Sequence, residues 1–131
     1  MLEFHFDPNG DAPIVSGIIS SPKGKRKIQL VFDTGAERTQ LHRRTMQRLG
    51  YTEEIKTRNA KAVGVGGAEE KGYMVRVPRI AFLGSAAENV ELAVFDMSYL
   101  GDKNIDGLLG WDFIRLFHLE MIGPAGKLKI F

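Results

Sequence analysis

The sequence predicts an all-β domain, a barrel or sandwich carrying one or two short helices. Apolar residues recur at period two in short runs, as in Ile28, Leu30 and Phe32, or Val90, Leu92 and Val94. Turn signals interrupt these runs at short intervals: Asn9-Gly10, Ser21-Pro22, the cluster Gly64–Gly67 and Gly123-Pro124. Helical periodicity is confined to short stretches, the clearer one at His42–Leu49.

Taken in order, Ala12–Ser20 (APIVSGIIS) reads as a first strand and Lys27–Phe32 as a second. The polar SPKGKR between them forms the loop of a hairpin. In His42–Leu49, Leu41, Thr45 and Leu49 stack at spacing four with Met46 beside them, and Gly50 stops this short amphipathic helix. Thr57–Val63 and Tyr73–Phe82 are strands flanking the glycine cluster. Pro78 has no N–H for a ladder and therefore indicates an edge position or a strand end. Asn89–Phe95 follows, then the polar SYLGDKN, then IDGLLGWDFIRLF, and Gly126–Phe131 closes the chain as a short strand. The two halves echo each other in pattern. IQLVFDTGA precedes LHRRTMQRL, and VELAVF with DGLLG precedes WDFIRLF.

At 131 residues with no linker, the chain is expected to be one domain spanning residues 1–131. Its apolar runs break within a few residues, far short of the roughly 20 a membrane helix needs, so no membrane span is expected. The N-terminus lacks the basic start and apolar core of a signal peptide, which points to the cytoplasm. Without cysteine there are no disulfides, thiolate-bound zinc or cysteine nucleophile, and His5, His42 and His118 show no metal-ligand spacing. The net charge of +2 is mild. The basic stretches at Lys23–Lys27 and Arg38–Arg48 lack interleaved aromatics and read as a solvated turn and a wet helix face, so no nucleic-acid partner is expected.

The chemistry concentrates in Val31-Phe32-Asp33-Thr34-Gly35-Ala36. An ionisable residue ends an apolar strand, and small residues after it let the chain turn tightly and another backbone approach. A helix N-cap is the plainer use of such an aspartate, but Asp33 stands eight residues before Leu41, too early to cap that helix.

These residues resemble the active-site loop of the retropepsin-like aspartic proteases: Asp33-Thr34-Gly35-Ala36, followed by Thr39 and Leu41. The GVGG cluster between two strands is placed like that family's flap, and Leu108-Leu109-Gly110 with Asp112 and Phe113 resembles its second signature. The resemblance implies a homodimeric acid-protease barrel hydrolysing peptide bonds in a peptide or protein substrate, with no cofactor and no metal. The mechanism needs two carboxylates around one water. About 3 Å apart they cannot both ionise, so they share a proton. Asp102, Asp106 and Asp112 are internal candidates for the second carboxylate, but none sits in a D-T-G or D-S-G context. Asp106 reads as a turn residue and Asp112 as a helix cap or a partner for an arginine. The second carboxylate is therefore expected to be Asp33 of another copy across a two-fold axis.

The resemblance also assigns roles. Asp33 would activate water, Thr34 would bond across the dyad, and Gly35 would present its backbone to the substrate. Ala36, Glu37 and Arg38, with Val63, Gly64, Val65, Gly66 and Gly67 of the flap, would contact an extended peptide held as an added strand. Ala36 stands where many cellular members carry serine, and the missing hydroxyl implies activity reaching nearer neutral pH. Glu37 has Arg115 as a candidate partner, and Arg38 would favour acidic side chains in the substrate. Trp111, Phe113 and Phe117 read as core or interface packing. The terminal strand pairs either at the dimer interface or as a barrel edge. The alternative function is a catalytically inactive module of the same fold that binds peptides or partner proteins.

Overall fold

The computed structural model describes residues 1–64, 66–101 and 104–131. Strand alternation drives its architecture. In β2 (Ile14–Ser21) Val15, Gly17 and Ile19 turn inward, and in β3 (Gly24–Phe32) Ile28, Leu30 and Phe32 do the same. The two pair antiparallel from Ile14↔Val31 to Ser21↔Gly24. The expected hairpin is present, but its loop is only Pro22-Lys23. Lys25 and Arg26, expected in the loop, belong to β3, because a strand whose flanks are both exposed accepts charged residues.

The remaining strands are β4 (Gln40–His42), β5 (Arg58–Val63), β6 (Glu69–Phe82), β7 (Ser85–Phe95) and β8 (Gly107–Leu109), with β1 (Leu2–His5), β9 (Leu119–Ile122) and β10 (Lys127–Ile130) from the chain ends. One sheet runs β2-β3-β8-β4-β7-β6-β5, and β2 also pairs with β6. That extra pairing closes a barrel of six strands and leaves β5 outside the ring. The 14-residue β6 makes this possible by changing partner: residues 69–74 pair with β5 and residues 80–82 with β2.

Pro78 lies between those two ladders. It is inside β6 and not at a strand end, at a point where neither β5 nor β2 needs its N–H. The ladder to β7 passes from Val77↔Val90 to Arg79↔Glu88 across it.

Helix α1 (Arg43–Arg48) buries Thr45 and Met46 beside Leu41 and Leu49, as the spacing requires, and Gly50 leaves it at φ 93°. Its cap is His42, whose Nδ1 accepts the Arg44 N–H at 3.2 Å. Helix α2 (Trp111–Ile114) is a single turn. The halves' echo is realised in pairing: β3 runs parallel to β8, and β4 runs parallel to β7.

The main core fills the barrel, and a smaller cluster of Met74, Ala93, Phe95 and Met97 lies against Ala60, Ala62 and Leu108. This second cluster explains why Leu92 through Phe95 are all buried although a strand normally alternates. The terminal strand departs from both expectations. β10 is the centre of a three-stranded sheet, flanked by β1 and β9 of its own chain, and so it is neither a barrel edge nor a free strand for a partner.

Candidate active site

Asp33 follows the last residue of β3, and the backbone fixes it on both sides. Its N–H donates to Leu109 O at 3.0 Å, its carbonyl accepts the Ala36 N–H at 3.3 Å, and its Oδ1 accepts the Gly35 N–H at 2.9 Å. The tight Asp-Thr-Gly turn thus orients its own carboxylate. A Cβ on Gly35 would stand 3.2 Å from that oxygen. Asp33 is half-buried, whereas Thr34 and Gly35 are exposed.

The second motif braces this turn from below. Trp111 N–H donates to Ala36 O at 2.7 Å and Asp112 N–H to Glu37 O at 3.2 Å. Thr39, 1% exposed, is the pin between them. Its N–H and Oγ1–H both donate to the Asp112 carboxylate, and its Oγ1 accepts the Gly110 N–H at 3.0 Å. Gly110 is required there, because a Cβ would stand 2.5 Å from Arg38 C. At Gly107 a Cβ would run into the Gln40 carbonyl where β8 crosses β4.

Two of the other aspartates are thereby spent on structure. Asp112 accepts from Thr39 and from Phe113 N–H inside the first turn of α2, whose N-cap is Gly110, so it is not the expected cap, and among the described residues it pairs with no arginine. Asp106 accepts from Gln29 N–H at 2.8 Å and Thr45 Oγ1–H at 2.7 Å, while its backbone bonds His42 and Gln29. It is more than a turn residue, since it joins β3, β4 and α1. Asp102 lies outside the described residues.

A cavity of about 650 Å³ opens on one side of the turn, bounded by Asp33, Ile14, Val31, Leu108, Ile105 and Tyr99. A second of about 540 Å³ lies on the other side, bounded by Gly35, Ala36, Glu37, Arg38, Val63 and Met74. The predicted loop residues therefore line a groove together with Val63 of the β5–β6 hairpin. Past the Val63↔Glu69 pair the chain turns with Gly64 N–H on Ala68 O at 2.9 Å, and Gly66 and Gly67 take φ values of 96° and 82°. Val65 lies outside the described residues.

Among the described residues Glu37 and Arg115 form no ion pair, and Glu37 engages the frame through its carbonyl. Phe113 and Phe117 pack on Phe82 at 5.0 and 6.2 Å, but Trp111 is 49% exposed and is not core.

The sequence reading missed Tyr99. It borders the Asp33 cavity although it is 64% exposed, and the partial desolvation of its ring, then the Glu70 and Asp33 charges, hold its phenol above the usual range. It stands in a loop whose polar composition gives no signal for such a position.

The sequence matches a family described as aspartyl protease over residues 16–113. No curated protein sequence matches it significantly. In structure it is similar to a retropepsin-like aspartic protease from Rickettsia conorii, with a TM-score of 0.67 and 23% identity, covering 100% of this chain and 99% of that one. It is also similar to the EIAV protease complexed with the inhibitor HBY-793, at TM-score 0.58 and 21% identity, over 82% of this chain and 88% of that one. A third is the retroviral protease-like domain of Ddi1 from Leishmania major, at TM-score 0.57 and 18% identity, over 89% of this chain and 86% of that one. These likenesses show the fold.

Proposed function

This chain belongs to the aspartyl protease family, and from that premise we propose that it is an endopeptidase whose active site forms when two copies bring their Asp33 carboxylates around one water. The observation that carries this reading is the disposition of the carboxylates. Asp33 is oriented by its own turn and borders the cavity of about 650 Å³, while Gly35 to Arg38 of the same turn border the second cavity; Asp106 and Asp112 are consumed by backbone and threonine donors. On this reading the second carboxylate is Asp33 of another copy of the chain, which the exposed Thr34 and Gly35 are free to meet.

In the paired site one carboxylate is ionised and takes a proton from the water as it attacks the scissile carbonyl carbon. The other, protonated, donates to the carbonyl oxygen, and a gem-diol forms. Collapse breaks the C–N bond as a proton passes to the leaving nitrogen, and the pair again holds one proton. The exposed Gly35 backbone and the edge of the β5–β6 hairpin hold the peptide extended, and Val63 with the glycine turn closes over it as a flap. Ala36 and Glu37 shape the neighbouring wall, and Arg38, with no ion pair among the described residues, favours an acidic side chain there.

The test is cleavage of a denatured protein and of a peptide library by the wild type and by Asp33→Asn. The rate of the variant is expected to fall by about a thousandfold or more, with an unchanged fold by circular dichroism. Peptide binding without cleavage by the wild type would establish the inactive module instead.

A further inference from the structure

A cavity of about 420 Å³ lies where the β5–β6 hairpin leaves the barrel, and none of residues 33–38 borders it. Its walls include Arg43, Glu53, Asn59, Lys61, Lys71 and Gly72. Lys61 and Lys71 are directly opposed cross-strand partners, so their side chains leave the hairpin on one face. Like charges so placed weaken a hairpin, and only Lys61 has a counter-ion among the described residues, Glu69 at 3.0 Å. Arg43 comes from the first position of α1. Its guanidinium sits 5.8 Å from the centroid of the Tyr73 ring, makes no ion pair among the described residues, and carries a buried Nε–H with no acceptor. A buried donor left unpaired is costly, and arginine is the side chain best shaped to hold an oxyanion. Glu53 is the single carboxylate on the walls. Gly72 contributes backbone alone, because a Cβ there would meet Val94 O and the Phe95 ring.

We infer that this cavity is a binding site for a small oxyanion, a phosphate or a carboxylate group, held between Arg43 of α1 and the Lys61–Lys71 pair of the hairpin. Such a ligand meets the positive charge of the Arg43 guanidinium through its outer nitrogens, the Nε–H being buried, and relieves the repulsion between the lysines. It also ties the hairpin to α1. Because the same hairpin carries Val63 into the groove beside Ala36, occupancy stiffens the arm that borders the active site without touching Asp33. The site stands apart from the proteolytic reading.

The experiment titrates the full chain with inorganic phosphate and, separately, with malonate, at constant ionic strength against a chloride control. Binding is read by calorimetry, and hydrogen exchange is followed in residues 58–63 and 69–74. The expected result is saturable binding, one per chain, of at least one of the two anions, with slower exchange in both segments. Affinity should fall about tenfold or more in Lys71→Gln and in Arg43→Gln. Lys71 is exposed, so its variant remains informative if replacement of Arg43 disturbs α1. Comparing the two anions distinguishes a phosphate from a carboxylate ligand. A response no larger than that to chloride, or one undiminished in Lys71→Gln, overturns the inference. Neither arm requires turnover, so the result does not depend on whether the chain cleaves peptides.

Discussion

His42 is 5% exposed and does two things at the head of α1: its backbone N–H donates to Asp106 O, and its Nδ1 caps the helix by accepting from Arg44. Acting as an acceptor at Nδ1 requires the neutral ring, and its Nε2 is buried without a partner. Burial, with help from Arg44 and Arg48, pushes its pKa below 6.5, while Asp96 and Asp106 oppose the shift. The unfolded chain therefore takes up a proton at a pH where the folded chain does not. Stability is full above about pH 6.5, falls as the pH drops below it, and stops falling once the folded pKa is passed. Denaturant titrations between pH 7 and pH 5 should show this loss, and His42→Asn, which keeps a cap acceptor but has no titratable ring, should remove most of the slope. A slope unchanged in the variant would assign it to other groups. The Asp33 turn, proposed here as catalytic, stands out in the sequence because the residues around it are distinctive by identity. The role of His42 does not, since a histidine at the start of an amphipathic run has no signature as a cap.

At the scale of elements, the site depends on three short segments crossing one another: the turn after β3, β4, and the β8–α2 junction. Their contact is close enough that two glycines are obligatory, so Gly110→Ala should cost on the order of 3 kcal/mol or more. Thr39→Val removes the hydroxyl that both donates to Asp112 and accepts from Gly110, and should cost about 2–3 kcal/mol. Thermal or chemical denaturation measures both, and Asp112→Asn, which keeps acceptor capacity, should cost less than Thr39→Val. This scale also limits what a sequence can reveal. Ile28-Leu30-Phe32 and Leu41-Thr45-Leu49 announce β3 and α1 because each buries one face against the barrel. β4 and β8 have three residues each, too few to show any period. The first part of β6, Glu69 to Lys71, is exposed because the hairpin projects beyond the core, so no apolar alternation marks it as strand. β1 and β9 turn few side chains inward and were invisible for the same reason.

For the whole molecule, the barrel closes within one chain, and on the proposed reading the active site takes its second carboxylate from another copy. The ring pairs its six strands on both sides, and the three-stranded terminal sheet occupies both sides of β10, which leaves β5, β1 and β9 as edge strands. On the proposed reading a second copy approaches the exposed face at Thr34 and Gly35, and half-exposed Trp111, whose N–H donates to Ala36 O, stands in the chain segment bonded to that turn. If the catalytic unit is two copies with one Asp33 each, wild type mixed with excess-free Asp33→Asn and allowed to re-pair follows a binomial rule. At equal amounts about a quarter of the dimers keep both carboxylates, so activity per total chain should fall to about 25% of that of undiluted wild type. A protomer active alone would retain about half. Dilution gives an independent check, because specific activity should fall as pairs dissociate, whereas a self-sufficient protomer holds it constant. An activity that halves on mixing and does not change on dilution would require the second catalytic group to lie within one chain.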